Sequence, residues 1–184
     1  FHIFSPKNYK TNKTIIYLHG GGWTTGSVKH YSFTLSTLAN ELKRNIIAFN
    51  YPLAPEHPFP EGFNYCYEAI KLIFKKANKY NVDKENLIVM GDSAGANLAT
   101  SICLKAKNTK EFKIKKEILL YPIVQTNFEN NKKFKSIEEN GYHYFLTKKM
   151  IKDYLELYLV NKENYKNVYA APLNAKWLFS MPET

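Results

Sequence analysis

The chain reads as an α/β protein, a mostly parallel sheet with helices on both faces. Three observations predict this. Short apolar runs alternate with amphipathic helical stretches along the whole 184 residues. Two of the runs end in glycine-rich turns, His19-Gly20-Gly21-Gly22-Trp23 and Gly91-Asp92-Ser93-Ala94-Gly95, and the second turn leads straight into a helical pattern. The composition, 45% hydrophobic and 23% charged, is that of a globular domain with enough apolar surface to build a core.

The elements follow in order. Thr14-Ile15-Ile16-Tyr17-Leu18 is a short strand ending at the first glycine turn. Tyr31, Leu35, Leu38, Ala39 and Leu42 recur at helical spacing, which predicts a helix over about 28–43. The next strand covers 45–50. Residues 51–60 contain four prolines, which remove donors and fix φ, so this stretch is a rigid loop. A long helix over about 61–80 carries Phe63, Tyr67, Ile70, Phe74 and Ala77 on one stripe. The strand 87–90 delivers Ser93, and the helix 94–107 follows it. Residues 116–121 form another strand, stopped by Pro122. Residues 125–135 are polar and rich in Asn, as expected of an exposed loop. Met150, Ile151, Tyr154, Leu155 and Tyr158 then mark a helix over 147–159 capped by Thr147. The stretch 171–184 adds no closing element, which would leave the apolar edge of the 116–121 strand open to aggregation. The reading is one domain over 1–184, with 125–165 a loop plus a helix near a cap.

The net charge of +10 invites a nucleic-acid reading. The make-up of the charge argues against it: of 26 basic residues only Arg44 is arginine, and the lysines are spread along the chain. Base readout and phosphate clamping lean on the bidentate fork of arginine. No apolar run approaches the roughly 20 residues needed to span a bilayer. Cys66 and Cys103 fall on the apolar faces of predicted helices without metal-site spacing, so two buried free thiols in a reducing, cytoplasmic setting are expected.

The chemistry concentrates at the two glycine turns. A serine on a sharp strand-to-helix turn presents its hydroxyl to a carbonyl carbon, and Gly91 and Gly95 keep that turn free of clashes. Ser93 is therefore the candidate nucleophile. The N–H groups of Gly21, Gly22 and Ala94 are the candidate oxyanion donors, with the dipole of the following helix adding favourable potential. No phosphate-loop pattern is present at Gly20–Gly22. His19, Gly20 and Asp92 read as structural parts of the motifs, and His57 as structural in the proline loop. Trp23, Phe59 and Tyr31 suit either a pocket wall or the core.

A general base is harder to find. Of the five histidines only His143 follows Ser93, and the sole later aspartate, Asp153, comes after it. Serine hydrolases with this turn run serine, acid, histidine. His143 therefore reads as a partly buried surface or cap histidine, with general base as the alternative, since geometry rather than order decides triads.

The three segments His19–Trp23, Tyr51–Pro60 and Gly91–Leu98, together in this order, resemble the hormone-sensitive-lipase family of α/β-hydrolases, over nearly the whole chain. The resemblance implies an α/β-hydrolase fold and carboxylesterase chemistry on short acyl esters. It implies a small-molecule ester as partner and neither metal nor cofactor. It carries Ser93 over as nucleophile and Gly21, Gly22 and Ala94 as oxyanion donors. Pro52 stands where the family usually has arginine and Ala96 where it usually has glycine, which touches substrate range at most. The triad acid and histidine are expected beyond Thr184, and a helical cap region ahead of Phe1. The chain is thus expected to be truncated at both ends and to lack normal turnover by itself. The alternative from another class is a non-catalytic small-molecule binding protein on the same scaffold.

Overall fold

A computed structural model of the protein describes residues 1–128 and 134–184. The elements run β1 (His2–Phe4), β2 (Thr14–Leu18), α1 (Val28–Leu42), β3 (Asn45–Ala48), α2 (Glu61–Lys75), α3 (Ala77–Tyr80), β4 (Ile88–Asp92), α4 (Ala94–Thr109), β5 (Lys116–Leu120), α5 (Lys135–Glu139) and α6 (Lys148–Tyr158). The sheet order is β1-β3-β2-β4-β5, with β1 antiparallel to β3 and every other pair parallel.

β2 and β4 lie at the centre and are buried along their whole length. Parallel strands covered on both faces are apolar over most of their length, which is why 15–18 and 88–90 read as continuous runs rather than alternations. The period of two still sorts their side chains. Ile15, Tyr17, Ile46, Ala48, Ile88 and Met90 face α1 and pack on Val28, Leu35 and Ala39. Ile16, Leu18, Ile47 and Val89 face the other layer, where α2, α4 and α6 contribute Phe63, Ile70, Leu98, Ile102, Leu155 and Tyr158. Cys66 and Cys103 are buried free thiols in this second layer.

Several expectations are corrected. β1 was not foreseen: its three residues pair with β3, His2 opposite Ala48. The helix predicted over 61–80 is broken at Lys76, where Lys79 N–H reaches back only three residues to the Lys76 carbonyl at 2.9 Å. The stretch 171–184 does meet the sheet. Glu183 bridges Lys116 in the parallel sense, the Glu117 N–H donates to the Glu183 carbonyl at 2.8 Å, and the two side chains Lys116 and Glu183 form an ion pair at 2.7 Å. The outer edge of β5 is therefore covered at its start. Of the polar loop expected over 125–135, residues 129–133 lie outside the described residues; Gln125 and Thr126 are half-buried and Lys135 opens α5. Thr147 caps α6 as predicted, its hydroxyl accepting from the Met150 N–H at 3.2 Å.

Candidate active site

Ser93 occupies the single position between β4 and α4, with φ 51° and ψ −117°. That backbone geometry is sparsely populated for a residue with a Cβ and costs on the order of 1–3 kcal/mol. It is held by the Ser93 N–H, which donates to the Leu120 carbonyl of β5 at 2.9 Å, and by the Ser93 carbonyl, which starts the α4 ladder by accepting from Asn97 at 3.0 Å. The residue is half-buried rather than sealed. The two flanking glycines make the turn possible. A Cβ on Gly91 would overlap the Gly95 backbone, and a Cβ on Gly95 would overlap the carbonyls of Leu18 and His19. The first turn of α4 thus lies directly against the end of β2, which brings the first glycine turn beside Ser93.

Within that turn, Gly21 and Gly22 have φ of 123° and 58°, so both positions favour glycine. The Gly21 carbonyl accepts from Thr24 and Thr25 N–H at 3.1 and 2.9 Å, turning it into the loop. The N–H groups of Gly21, Gly22 and Ala94 have no acceptor among the described residues. Gly22 is covered by the ring of Tyr154 from α6, so close that an added Cβ would come within 2.6 Å of it.

A buried polar network ties the two turns together. Asp92 Oδ1 accepts from the Tyr17 hydroxyl at 2.6 Å and the Gly20 N–H at 2.9 Å, while Oδ2 accepts from the Tyr31 hydroxyl at 2.9 Å. Burial, followed by the bond to Asp92 and its charge, pushes the phenols of Tyr17 and Tyr31 well above their ordinary range, so both stay protonated as donors. His19 is buried, donates through Nδ1 to the Gly20 carbonyl at 2.8 Å and stacks on Tyr51 at 4.4 Å. Burial lowers its pKa, which keeps the ring neutral. Tyr51 completes the support by donating to the His19 carbonyl at 2.6 Å.

Trp23 and Phe59 belong to the core, not to an open pocket wall. Trp23 is 2% exposed and stacks on Tyr158 at 4.5 Å, and Phe59 packs edge-on against the same Tyr158 at 5.6 Å. The proline loop is a buttress between the first glycine turn and α6: Ala54 N–H donates to the Trp23 carbonyl at 2.9 Å and Phe59 N–H to the Tyr158 carbonyl at 2.8 Å. Tyr31 faces Asp92 through its hydroxyl. Sequence reasoning overlooked Tyr17 and Tyr51, which look like core aromatics in a strand and a loop. It also overlooked Asn97, whose amide donates to the carbonyls of Ile123 at 2.6 Å and Ala170 at 2.9 Å and so pins α4 to the segments beyond β5. A buried asparagine in the first turn of a helix was the available signal.

No histidine is hydrogen-bonded to Ser93. His19 bonds Gly20, His30 lies 3.3 Å from the Ser27 hydroxyl, and His57 pairs with Glu61 at 2.8 Å on the surface. His2 is exposed on β1, and His143 is exposed in the turn before α6. Asp153 is paired with Lys149 at 2.7 Å.

With this geometry in place, the comparisons are decisive for family. A family model of the alpha/beta hydrolase fold matches residues 15–184. The chain belongs to the hormone-sensitive-lipase-like alpha/beta hydrolases. It is similar to the arylacetamide deacetylase of Bos taurus, 32% identical over 188 residues, covering 97% of this chain and 46% of the relative. It is also similar to the arylesterase of Saccharolobus solfataricus, 29% identical over 182 residues, covering 98% and 58%. Among solved structures, a hyperthermophilic esterase from Pyrobaculum calidifontis superposes with a TM-score of 0.89 at 30% identity, covering 98% of this chain and 57% of that one. The chain therefore spans about half the length of the curated relatives it matches. Among the described residues, no helix is long and apolar enough to cross a membrane.

Proposed function

We propose that this alpha/beta hydrolase cleaves short-chain carboxylic esters, with Ser93 as the nucleophile. The observation that carries the reading is the backbone of Ser93, held at φ 51° between β4 and α4 beside the first glycine turn, where the N–H groups of Gly21, Gly22 and Ala94 have no acceptor among the described residues. In the reaction Ser93 Oγ adds to the ester carbonyl carbon. The oxygen that gains charge is received by the N–H groups of Gly21, Gly22 and Ala94, each worth roughly 10²–10³ in rate, about 3–4 kcal/mol. The tetrahedral species collapses, the alcohol leaves, and water releases the acyl group from Ser93. The proton of Ser93 needs a base. That role is assigned to a histidine oriented by a carboxylate, the serine–acid–histidine set that accompanies this type of turn, and to none of the five described histidines, which do not bond Ser93. The names arylesterase and arylacetamide deacetylase support an acyl carbonyl as the electrophile.

The test is hydrolysis of 4-nitrophenyl acetate and butyrate by the intact polypeptide that carries this chain, with Ser93→Ala beside it. Turnover should fall by roughly 10³-fold or more in the variant, in line with the loss of a nucleophile. A phosphonate ester should label Ser93 with one equivalent. Hydrolysis by Ser93→Ala at the wild-type rate would refute the assignment. Labelling without turnover would point to a binding protein on this scaffold.

A further inference from the structure

A cavity of about 970 Å³ lies between α6, the 3₁₀ turn Lys162–Lys166 and the segment that follows β5. Its character differs from that of the Ser93 site. Five lysines line it, Lys148, Lys149, Lys152, Lys162 and Lys166, against one carboxylate, Glu156. Lys148 pairs with Glu138 and Lys149 with Asp153, each at 2.7 Å. Lys162 and Lys166 have no carboxylate within ion-pair distance among the described residues. The remaining lining divides between polar residues, Gln125, Thr126, Asn127 and Asn174, and apolar or aromatic ones, with Leu155 at the buried base and Phe128, Tyr142 and Tyr165 as walls.

The wall is built, not incidental. Tyr165 is fixed through its carbonyl, which accepts from the Thr126 hydroxyl at 2.7 Å, so the turn carrying Lys162 and Lys166 is tied to the segment after β5. Leu155 is 2% exposed and belongs to the core, so the base of the cavity cannot shift freely. An adjoining hollow of about 470 Å³ shares Glu156, Lys162 and Tyr165 and adds Leu159 and Val160, of which Val160 is exposed.

We propose that this cavity binds an anionic amphiphile, with its carboxylate or phosphate head at Lys162 and Lys166 and its apolar body along Phe128, Tyr165 and Val160. Unpaired cations at the mouth of an apolar cavity favour a ligand that brings both a negative head and a hydrophobic body. A cation–anion pair at a partly exposed mouth supplies modest affinity, and the buried apolar surface supplies the rest. The site is independent of the ester reading, because none of its lining residues belongs to the turns around Ser93.

The experiment is isothermal titration calorimetry on the full chain at fixed ionic strength with three probes: decanoate, decyl phosphate and decanol. Decanoate and decyl phosphate should bind with one-to-one stoichiometry and at least tenfold more tightly than decanol. The double variant Lys162→Glu/Lys166→Glu should lose at least tenfold of the affinity for both anions, with its melting temperature and decanol affinity unchanged. Lys162→Gln/Lys166→Gln should fall between. Equal affinity for decanol and decanoate, or anion binding untouched by the charge reversal, would overturn the proposal. So would cosedimentation with phosphatidylglycerol vesicles that depends on the two lysines while the soluble probes fail to bind, which would assign the surface to a bilayer.

Discussion

Removing the carboxyl group of Asp92 should loosen the whole site from below. The side chain is 6% exposed and accepts from Tyr17 at 2.6 Å, Gly20 at 2.9 Å and Tyr31 at 2.9 Å. In Asp92→Ala two of these donors, the Tyr17 hydroxyl and the Gly20 N–H, stay buried without an acceptor. Each orphan costs about 1–3 kcal/mol, or roughly 2–6 kcal/mol together. Tyr31 is half-buried and recovers part of its loss from water. For a chain of this size each kcal/mol lowers the melting temperature by about 2–4 °C, so a drop on the order of 10 °C is expected. Asp92→Asn keeps one carbonyl oxygen for the Oδ1 donors and should cost about 1–2 kcal/mol. The assay is urea unfolding followed by the fluorescence of Trp23, with Tyr17→Phe as a third arm. Because Tyr17→Phe removes the orphaned hydroxyl, adding it to Asp92→Ala should cost less than the sum of the singles, with a coupling of about 1 kcal/mol. Asp92→Ala within about 0.5 kcal/mol of wild type, or strict additivity with Tyr17→Phe, would refute the reasoning.

Three further outcomes follow from the packing and the titrating groups. Gly95→Ala would drive a Cβ into the carbonyls of Leu18 and His19, so its urea midpoint should fall by an amount equivalent to roughly 1–3 kcal/mol; an unchanged midpoint would show that α4 can back away from β2. Glu117 is buried on β5, and burial raises its pKa against the opposing bond from the Thr184 hydroxyl at 2.9 Å. Its contribution to stability is thus present below the ordinary carboxylate pKa and lost as pH rises through the folded value. Glu117→Gln should therefore gain on wild type at pH 8 and lose that advantage near pH 4, and a pH-independent difference would count against it. His19 has the opposite sign. Its lowered pKa gives stability above the ordinary imidazole value of about 6.5 that is lost as pH falls, so thermal melts from pH 7.5 to 5 should slope more steeply for wild type than for His19→Asn.

The contrast between what the sequence disclosed and what it hid is physical. β2 and β4 were legible because burial on both faces makes 15–18 and 88–90 continuous apolar runs, and the break to Gly-x-Ser-x-Gly is local. Thr147 was legible because a cap is read by residues three positions away. β1 was hidden because three residues show no usable period and their partner lies on β3. The roles of Tyr17 and Tyr31 were hidden for a related reason: they reach Asp92 across 75 and 61 positions of sequence, and nothing local distinguishes a phenol that donates from one that only packs. The same holds for Trp23 and Phe59, which local sequence left between pocket wall and core. Their burial depends on Tyr158, supplied by a helix more than a hundred residues later in the case of Trp23. The break at Lys76 had no proline or glycine to announce it.

These long-range contacts bear on how the first glycine turn is kept in shape. A loop with φ of 123°, 58° and 59° at Gly21, Gly22 and Trp23 is not a low-energy conformation of a free chain, and it persists only when its surroundings over-determine it. Asp92 accepts from the Gly20 N–H, His19 holds the Gly20 carbonyl, Tyr51 holds the His19 carbonyl, the Tyr154 ring covers Gly22, and Tyr158 stacks on Trp23. Two of those restraints come from α6, an element outside the sheet. The opposite side of α6 lines the lysine-rich cavity through Lys148, Lys149, Lys152 and Glu156. A helix that touches the glycine turn on one side and a cavity on the other cannot move for one without the other. The orientation of the Gly21 and Gly22 N–H groups is therefore a property of α6 as much as of the loop that carries them.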